Sequence, residues 1–237
     1  YKAGRTTDGR SATAGHTASV AGDYAVCEAA IAQAGAFVAA DFTEFTDLLR
    51  VALPLRGKQV EGNRLAAVSN AGFESVGMAD SIRSNGAELL LPAFGGRTEE
   101  ALAKIVFDNG LDSLVDVKNP FDVTPMTGDM AYVDMIHEVL GDDSIDAAIV
   151  GIVPLTPALQ TLPPGEDHRE SIYDAVSIAQ RLPRAAAESD KPVVVVIDAG
   201  SLFDPLADEL RAQGLPVFRS ADRAVRSLCK WVDLKTR

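Results

Sequence analysis

Two apolar stretches decide the fold: DAAIVGIV at residues 146–153 and PVVVVI at residues 192–197. In both, apolar residues follow one another without the polar alternation of a strand that has one face in water. Such runs are typical of strands that are covered on both faces, as in a parallel sheet. Neither run approaches the ~20 residues that a membrane-spanning helix needs, so no membrane segment is expected.

Similar runs and helical patterns alternate around these two stretches. Further strands are predicted at residues 65–69, 88–91, 113–117 and 215–218. Helices are predicted at residues 71–85, 98–109, 128–140, 169–188, 204–213 and 221–232. The regular alternation of strand and helix predicts an α/β protein with a doubly wound parallel sheet.

The first 62 residues follow another pattern. Residues 1–23 are mostly Gly, Ala, Ser and Thr, with Lys2, Arg5, Arg10 and His16 among them. This composition suits a loop that wraps closely around a ligand, and it suits a flexible terminus equally well. Helices at 23–35 and 43–53, a short strand at 36–39 and a linker at 56–62 are predicted to follow.

Composition and charge exclude several classes of protein. The 237 residues are 47% apolar and 24% charged, which is typical of a globular domain rather than of a disordered chain or a coiled coil. A formal charge of −12 argues against binding to a nucleic-acid backbone. Nearly all of the acidic excess lies in residues 58–237, so the glycine-rich start is the better place for an anionic ligand.

The cellular setting is inferred from absences. Cys27 and Cys229 form neither a disulfide framework nor a metal-binding spacing. No signal peptide or targeting run is visible, and the chain begins at Tyr1, as a piece of a longer protein would. We therefore expect a reducing, cytoplasmic compartment and a protein without a resident metal.

Common catalytic and nucleotide-binding motifs are missing, which leaves histidine chemistry as the main candidate. The sequence has no Walker A motif, no GxGxxG after a strand, and no GxSxG, HExxH or CxxC motif. His16 lies among small residues and hydroxyls, where a neutral imidazole could act as a nucleophile toward a bulky anion. An exposed loop histidine is the alternative. His137 is expected on a helix surface, and His168 in solvent or at a helix start.

The turn from the first predicted strand into its helix is a candidate anion site. Ser69, Asn70, Ala71 and Gly72 would lie at the carboxyl end of a parallel strand, where such sheets bind ligands and where helix N–H groups are free. Helix capping explains Ser69 and Asn70 equally well. Asn119 and Asp122, in K-N-P-F-D after the third predicted strand, could meet a ligand at the same edge or only stabilise a turn.

At these positions the chain resembles the NDP-forming acyl-CoA synthetases, the superfamily of succinyl-CoA synthetase and ADP-forming acetate–CoA ligase. Three motifs carry the resemblance, which runs over essentially the whole chain: V-S-N-A-G at 68–72, N-P-x-D at 119–122, and one long motif. The long motif, K-x-G-R-x-x-x-G-x-x-A-x-x-x-H-T-x-S-x-A-G, occupies Lys2, Gly4, Arg5, Gly9, Ala12, His16, Thr17, Ser19, Ala21 and Gly22.

The resemblance implies both the domain organisation and the reaction. Residues 1–57 would be the C-terminal part of one flavodoxin-like domain, and residues 58–237 a second flavodoxin-like domain. His16 would be the histidine that is transiently phosphorylated, with Gly15, Thr17 and the 69–72 turn around the phosphate. The family joins a carboxylic acid to coenzyme A at the expense of an NTP, through an acyl phosphate and a phosphohistidine.

The resemblance also implies partners. The full assembly would use coenzyme A, ATP or ADP, and Mg²⁺ as substrates, with none of them bound tightly by this segment. An N-terminal CoA-binding domain and an ATP-grasp domain or subunit would complete the enzyme, in a homo- or hetero-oligomer.

Phe73 and Glu74 depart from the family pattern, because many relatives have small residues after N-A-G. Glu74 would compete with a bound phosphate, so we expect its carboxylate to point away from the anion. The departure leaves open a non-catalytic scaffold or regulatory relative. An acyl- or carbamoyl-transferring relative without histidine chemistry is disfavoured by His16.

Overall fold

The computed structural model describes residues 1–17, 22–84 and 87–236. The helices are α1 (Thr7–Thr17), α2 (Tyr24–Gln33), α3 (Phe42–Ala52), α4 (Gly72–Asp80), α5 (Gly96–Asp108), α6 (Asp129–Leu140), α7 (Ile178–Glu188), α8 (Asp204–Ala212) and α9 (Ala221–Thr236). The strands are β1 (Leu65–Ser69), β2 (Arg83–Ser84), β3 (Ala87–Glu88), β4 (Phe121–Asp122), β5 (Ala147–Gly151), β6 (Val193–Val196) and β7 (Val217–Phe218).

The main sheet is parallel and has the order β4-β1-β5-β6-β7, while β2 and β3 form a separate antiparallel pair. In chain order its strands are arranged second, first, third, fourth and fifth, which is a common order of doubly wound α/β sheets. Every residue of β1, β5 and β6 is buried. The predicted α/β class with a parallel sheet is therefore confirmed.

Helices cover both faces of this sheet. Alternate strand residues such as Val68 and Val150 pack against α5, α6, α7 and α8. Their neighbours, such as Ala67 and Ile149, face α3, α4 and α9. The continuous apolar runs of the sequence follow from this two-sided burial. No helix in the described parts of the chain is long and apolar enough to cross a bilayer.

Helix α3 packs against α9. Val51 and Leu55, in α3 and just after it, are buried in the same core as the α9 residues. Asp47 is 4% exposed and accepts hydrogen bonds from the Arg223 guanidinium at 2.8 and 2.9 Å. Residues beyond α3 are held against the end of α7 as well, because the Lys58 ammonium donates hydrogen bonds to the carbonyls of Ala186 and Ser189.

Several predicted elements were wrong in extent or kind. The small-residue start is not all loop, since Thr7–Thr17 is helical. No strand forms at 36–39 or 113–117. The strand predicted at 88–91 shrinks to β3 and one bridge between Arg64 and Leu90. The helix predicted over 71–85 ends at Asp80.

Helix α7 begins nine residues later than predicted, at Ile178 instead of 169. The buried carboxylate of Asp129 in α6 sets this start. Its Oδ1 accepts the N–H of Ile178 at 2.6 Å, and its Oδ2 accepts the N–H of Gln160 at 3.1 Å. A helix end needs acceptors for its free N–H groups, and here a neighbouring helix supplies one.

The edge of the sheet explains why residues 113–117 form no strand. The Asn119 side chain accepts the N–H of Ala67 at 3.1 Å and donates to the carbonyl of Leu65 at 2.7 Å. An amide side chain thus occupies the positions on β1 that a neighbouring strand would use. Backbone pairing of this segment with β1 begins only at Phe121 and Asp122.

Replacing Asn119 with Ala is expected to lower the free energy of unfolding by about 1–3 kcal/mol, because a buried donor and a buried acceptor of β1 lose their partner. Chemical denaturation measures this change. Asn109→Ala is the matched control, since the Asn109 amide caps a helix at an exposed position and its loss should change stability by about 0.5 kcal/mol or less. Equal effects of the two substitutions would contradict this role of Asn119.

Candidate functional site

The candidate site lies at the carboxyl ends of β1 and β5, where the strand order of the sheet reverses. Ser69 and Gly151 end these two strands and are paired across the ladder. The chain leaves β1 through Asn70 and Ala71 and enters α4 at Gly72. No side chain caps the start of this helix. Ligands of doubly wound sheets bind at this kind of reversal point.

Asn70 ties the two strand exits together. Its side-chain amide donates to the carbonyl of Val153 at 2.9 Å, and its Oδ1 accepts the N–H of the same residue at 2.8 Å. Asn70 is completely buried. The side chain is therefore used to hold the exit of β5 beside the exit of β1, and only the backbone of this turn remains for a ligand.

The Glu74 side chain folds back from the first turn of α4 onto the end of the sheet. Its Oε2 accepts a hydrogen bond from the Ser69 hydroxyl at 2.6 Å, and Ser69 Oγ accepts the N–H of Ala71 at 3.1 Å. The carboxyl thus bonds to Ser69 and not to the N–H groups of Asn70 or Gly72. Gly151 lies directly beneath, where an added Cβ would come within 1.7 Å of Glu74 Oε2.

Burial controls the ionisation of Glu74. The residue is 7% exposed, and this burial raises the pKa of its carboxyl to about 7, with Asp198 adding to the rise and the Ser69 hydrogen bond opposing it. Its second oxygen, Oε1, has no hydrogen-bond partner among the described residues. A buried oxygen in this situation is most stable when it carries a proton.

Tyr132 of α6 supports the same group of atoms. Its hydroxyl donates to the carbonyl of Gly151. Burial and the nearby Glu74 carboxyl raise the pKa of Tyr132 well above its usual value, so the hydroxyl keeps its proton. The end of β5 is thereby fixed from the opposite face of the sheet.

A second carboxylate lies at the start of α4. Asp122 Oδ1 accepts the N–H of Thr124 at 2.9 Å, while its Oδ2 would be 2.6 Å from a Cβ added at Gly72. Gly72 therefore allows the close approach of Asp122 and the helix end. The positive end of the α4 dipole faces Asp122 on one side and Glu74 on the other.

A cleft of about 540 Å³ opens from Glu74 toward α9. Its acidic lining residues are Glu74, Asp80, Asp198 and Asp222, and no lysine, arginine or histidine lines it among the described residues. Phe73 stands at its edge and is 93% exposed. The cleft combines helix N–H groups with carboxylates, so the charge of Glu74 affects how strongly it repels or attracts an anion.

The structure places the other candidate residues apart from this cleft or leaves their side chains undescribed. The side chain of Asn119 is used for hydrogen bonds to the backbone of β1. His137 is exposed on α6, with Nε2 3.8 Å from Glu188. His168 is half-buried in a loop rather than at a helix start, and its Nδ1 is buried without a partner among the described residues. Residues 1–17, 22–84 and 87–236 hold no group of three or more potential metal ligands.

The phosphohistidine motif lies in and after α1. Gly15 is exposed, and the backbone of His16 and Thr17 forms the last turn of this helix. The side chains of His16 and Thr17, and all of Ser19 and Ala21, lie outside the described part of the chain. The expectation for His16 therefore stays a prediction.

Three contributors to the site were missed at the level of sequence: Tyr132, Gly151 and Asp198. Gly151 carried a signal, because it interrupts the apolar run DAAIVGIV at the point where the strand ends. Tyr132 fits the buried face of a helix like any other aromatic residue. Asp198 follows a strand, but nothing in the sequence links it to Glu74.

Glu74 should make stability depend on pH. Because its pKa is higher in the folded chain, the folded state holds a proton that the unfolded state releases between about pH 4.5 and pH 7. The free energy of unfolding should therefore fall as pH rises through this range, by on the order of 2–3 kcal/mol relative to Glu74→Gln, and stay level above it. Denaturation across pH measures the difference.

Glu99→Gln is the matched control, since Glu99 is an exposed acid in the first turn of α5. It should follow the wild-type curve. A constant difference between wild type and Glu74→Gln at all pH values would show that the burial of this carboxyl does not control its ionisation.

Comparison with known proteins shows which proteins this chain is related to. Residues 1–52 match the family described as the succinyl-CoA ligase like flavodoxin domain. The alpha subunit of the ADP-forming acetate–CoA ligase II of Pyrococcus furiosus is 30% identical over 218 residues, covering 92% of this chain and 43% of that protein. The alpha subunit of the isoenzyme I from the same organism is 27% identical, covering 100% of this chain and 47% of that subunit.

A solved structure shares the fold. The dinucleotide forming acetyl-coenzyme A synthetase 1 of Ca. Korarchaeum cryptofilum, in complex with phosphate and ADP, superposes with a TM-score of 0.75 at 25% identity, covering 99% of this chain and 46% of that one. The chain thus spans less than half of the length of these relatives. The chain is thus a distant homologue of the alpha subunits of ADP-forming acetyl-CoA synthetases, and its residues 1–52 match the succinyl-CoA ligase like flavodoxin domain.

Proposed function

We propose that this chain is part of an NDP-forming acyl-CoA synthetase and supplies its phosphohistidine. Residues 1–57 are the C-terminal part of one flavodoxin-like domain, and residues 58–237 are a second flavodoxin-like domain. The observation that carries the proposal is the long motif from Lys2 to Gly22 with His16 at its centre, inside the segment that matches the family.

The reaction joins a carboxylic acid to coenzyme A. A neutral imidazole nitrogen of His16 attacks the γ-phosphorus of the NTP, a nitrogen–phosphorus bond forms, and NDP leaves. The carboxylate oxygen of the acid then attacks this phosphorus, which releases the imidazole and gives an acyl phosphate. Attack of the coenzyme A thiolate on the acyl carbon releases inorganic phosphate and gives the acyl-CoA.

The start of α4 is the second part of the proposal. The backbone around Ala71 and Gly72 offers uncapped N–H groups and the positive end of a helix dipole to the phosphate. The relative from Ca. Korarchaeum cryptofilum is described in complex with phosphate and ADP. Ser69 and Asn70 shape this turn through their bonds to Ala71 and Val153.

The remaining components lie outside this chain. The similarity to alpha subunits that are more than twice as long supports further domains. We propose an ATP-grasp domain or subunit that binds ATP or ADP with Mg²⁺, an N-terminal CoA-binding domain, and an oligomeric cytoplasmic enzyme.

One observation favours a second function. Glu74 and Asp122 place two carboxyl groups beside the helix end that would receive the phosphate. A scaffold or regulatory relative that kept the fold and lost phosphoryl transfer would tolerate these acids. The experiment that tests His16 also separates this alternative from the enzyme.

His16→Asn is expected to carry at least about tenfold less phosphoryl label, because the amide nitrogen of Asn is not a nucleophile and cannot replace the imidazole nitrogen that attacks phosphorus. The chain is incubated with an ATP-grasp partner, γ-labelled ATP and Mg²⁺, and the acid-labile, base-stable label is counted. His137→Asn is the matched control, since this exposed histidine of α6 lies outside the motif, and it should keep the label. A wild-type chain that takes up no label from a partner active on a relative would favour the scaffold.

A further inference from the structure

The buried carboxyl of Glu74 lines the cleft beside the end of β1, and its Oε1 has no hydrogen-bond partner among the described residues. Ser69 holds Oε2 at 2.6 Å, which fixes the carboxyl in place. Gly151 beneath it leaves no room for the side chain to move down. Oε1 is therefore the oxygen of this group that stays buried without a partner among the described residues.

Charges around Glu74 come from every element packed against it, and all of the carboxyl groups disfavour a further negative charge. Asp198 follows β6, Asp222 belongs to α9, Asp80 ends α4, and Asp122 lies on the far side of the α4 start. Asp222 is paired with Arg226 and Ser220. Tyr132, from α6, stays protonated and adds no charge.

Positive potential near this position comes from the N-terminal end of α4, from the start of α9, and from the Arg226 guanidinium that is paired with Asp222. An ionised Glu74 would cancel about half a unit of helix charge and leave the cleft negative. A protonated Glu74 would leave the helix end positive and would turn its hydroxyl into a hydrogen-bond donor. The protonation of this one group therefore removes a negative charge beside the helix end and makes the cleft more favourable to an anion.

We propose that Glu74 is the specificity-determining residue of this site: with its carboxyl protonated, the start of α4 binds one phosphate-class oxyanion, and with its carboxyl ionised it excludes that anion. This inference rests on the proposed phosphate site and adds the condition under which that site binds an anion, namely that Glu74 is protonated. Where Glu74 is ionised in the free chain, binding of the anion takes up one proton, which the Glu74 carboxyl holds. The pKa of about 7 places the change near neutral pH.

The test uses sulfate, which remains a dianion across the pH range and cannot be transferred to a histidine. The full chain, labelled with ¹⁵N, is titrated with sulfate at constant ionic strength near pH 6 and near pH 8.5, and the amide signals of Gly72 and Phe73 report binding. We expect wild type to bind about tenfold or more tightly at the lower pH. Glu74→Gln should bind with the same affinity at both pH values, close to that of wild type near pH 6.

Glu99→Gln is again the matched control and should keep the wild-type pH dependence. Equal affinity of wild type at both pH values, persistence of the pH dependence in Glu74→Gln, or no saturable shift at Gly72 and Phe73 near pH 6 would each overturn the proposal. Because sulfate binding does not involve His16, this test can fail while the phosphoryl label on His16 is found. Loss of the label with pH-dependent sulfate binding retained would instead count against the proposed enzyme alone.

Discussion

The pairing of β1 with β5 is the interaction on which the rest of the structure depends. Five consecutive residue pairs join the two strands, from Leu65 and Ala147 to Ser69 and Gly151. All ten residues are buried, so the pairing fixes both the register of the sheet and the side on which each helix packs. It also brings the two strand exits together, and the crevice over Gly151 is the direct result.

One glycine and one acid share that crevice. Glu74 occupies the space that any side chain at position 151 would need, and Ser69 holds it there. A small side chain in place of Glu74 would leave this space to a ligand or to water. In this chain a carboxyl group fills it, and the same helix end that attracts an anion is opposed by a group whose own charge depends on pH.

The sequence predicted the parts of the fold that depend on burial. The runs at 65–69, 146–153 and 192–197 are strands in the structure because both of their faces are covered, and their periodicity carries that information. The prediction of a strand at 113–117 was wrong because the side chain of Asn119 takes the place of a backbone partner on β1. The predicted start of α7 was wrong because the acceptor for its first N–H group comes from Asp129, 49 residues earlier. The local sequence pattern carries no signal for such a distant partner.

The candidate site was predictable to a similar degree. The turn at Ser69–Gly72 could be located, since a helix must start after a buried parallel strand. The direction of the Glu74 side chain, the bonds of Asn70 to Val153 and the contribution of Tyr132 depend on residues that are distant in sequence, and only the folded chain shows them.

The packing of α3 joins the segment before the predicted linker to the sheet that follows it. The linker at 56–62 follows α3, yet Val51, Leu55 and Asp47 are attached to α9. Burial of two such aliphatic side chains stabilises a fold by about 1.5–3 kcal/mol each. When force or heat separates the two halves of the chain, α3 should therefore remain with the sheet, and the hinge should lie before Phe42, in the segment that joins α2 to α3.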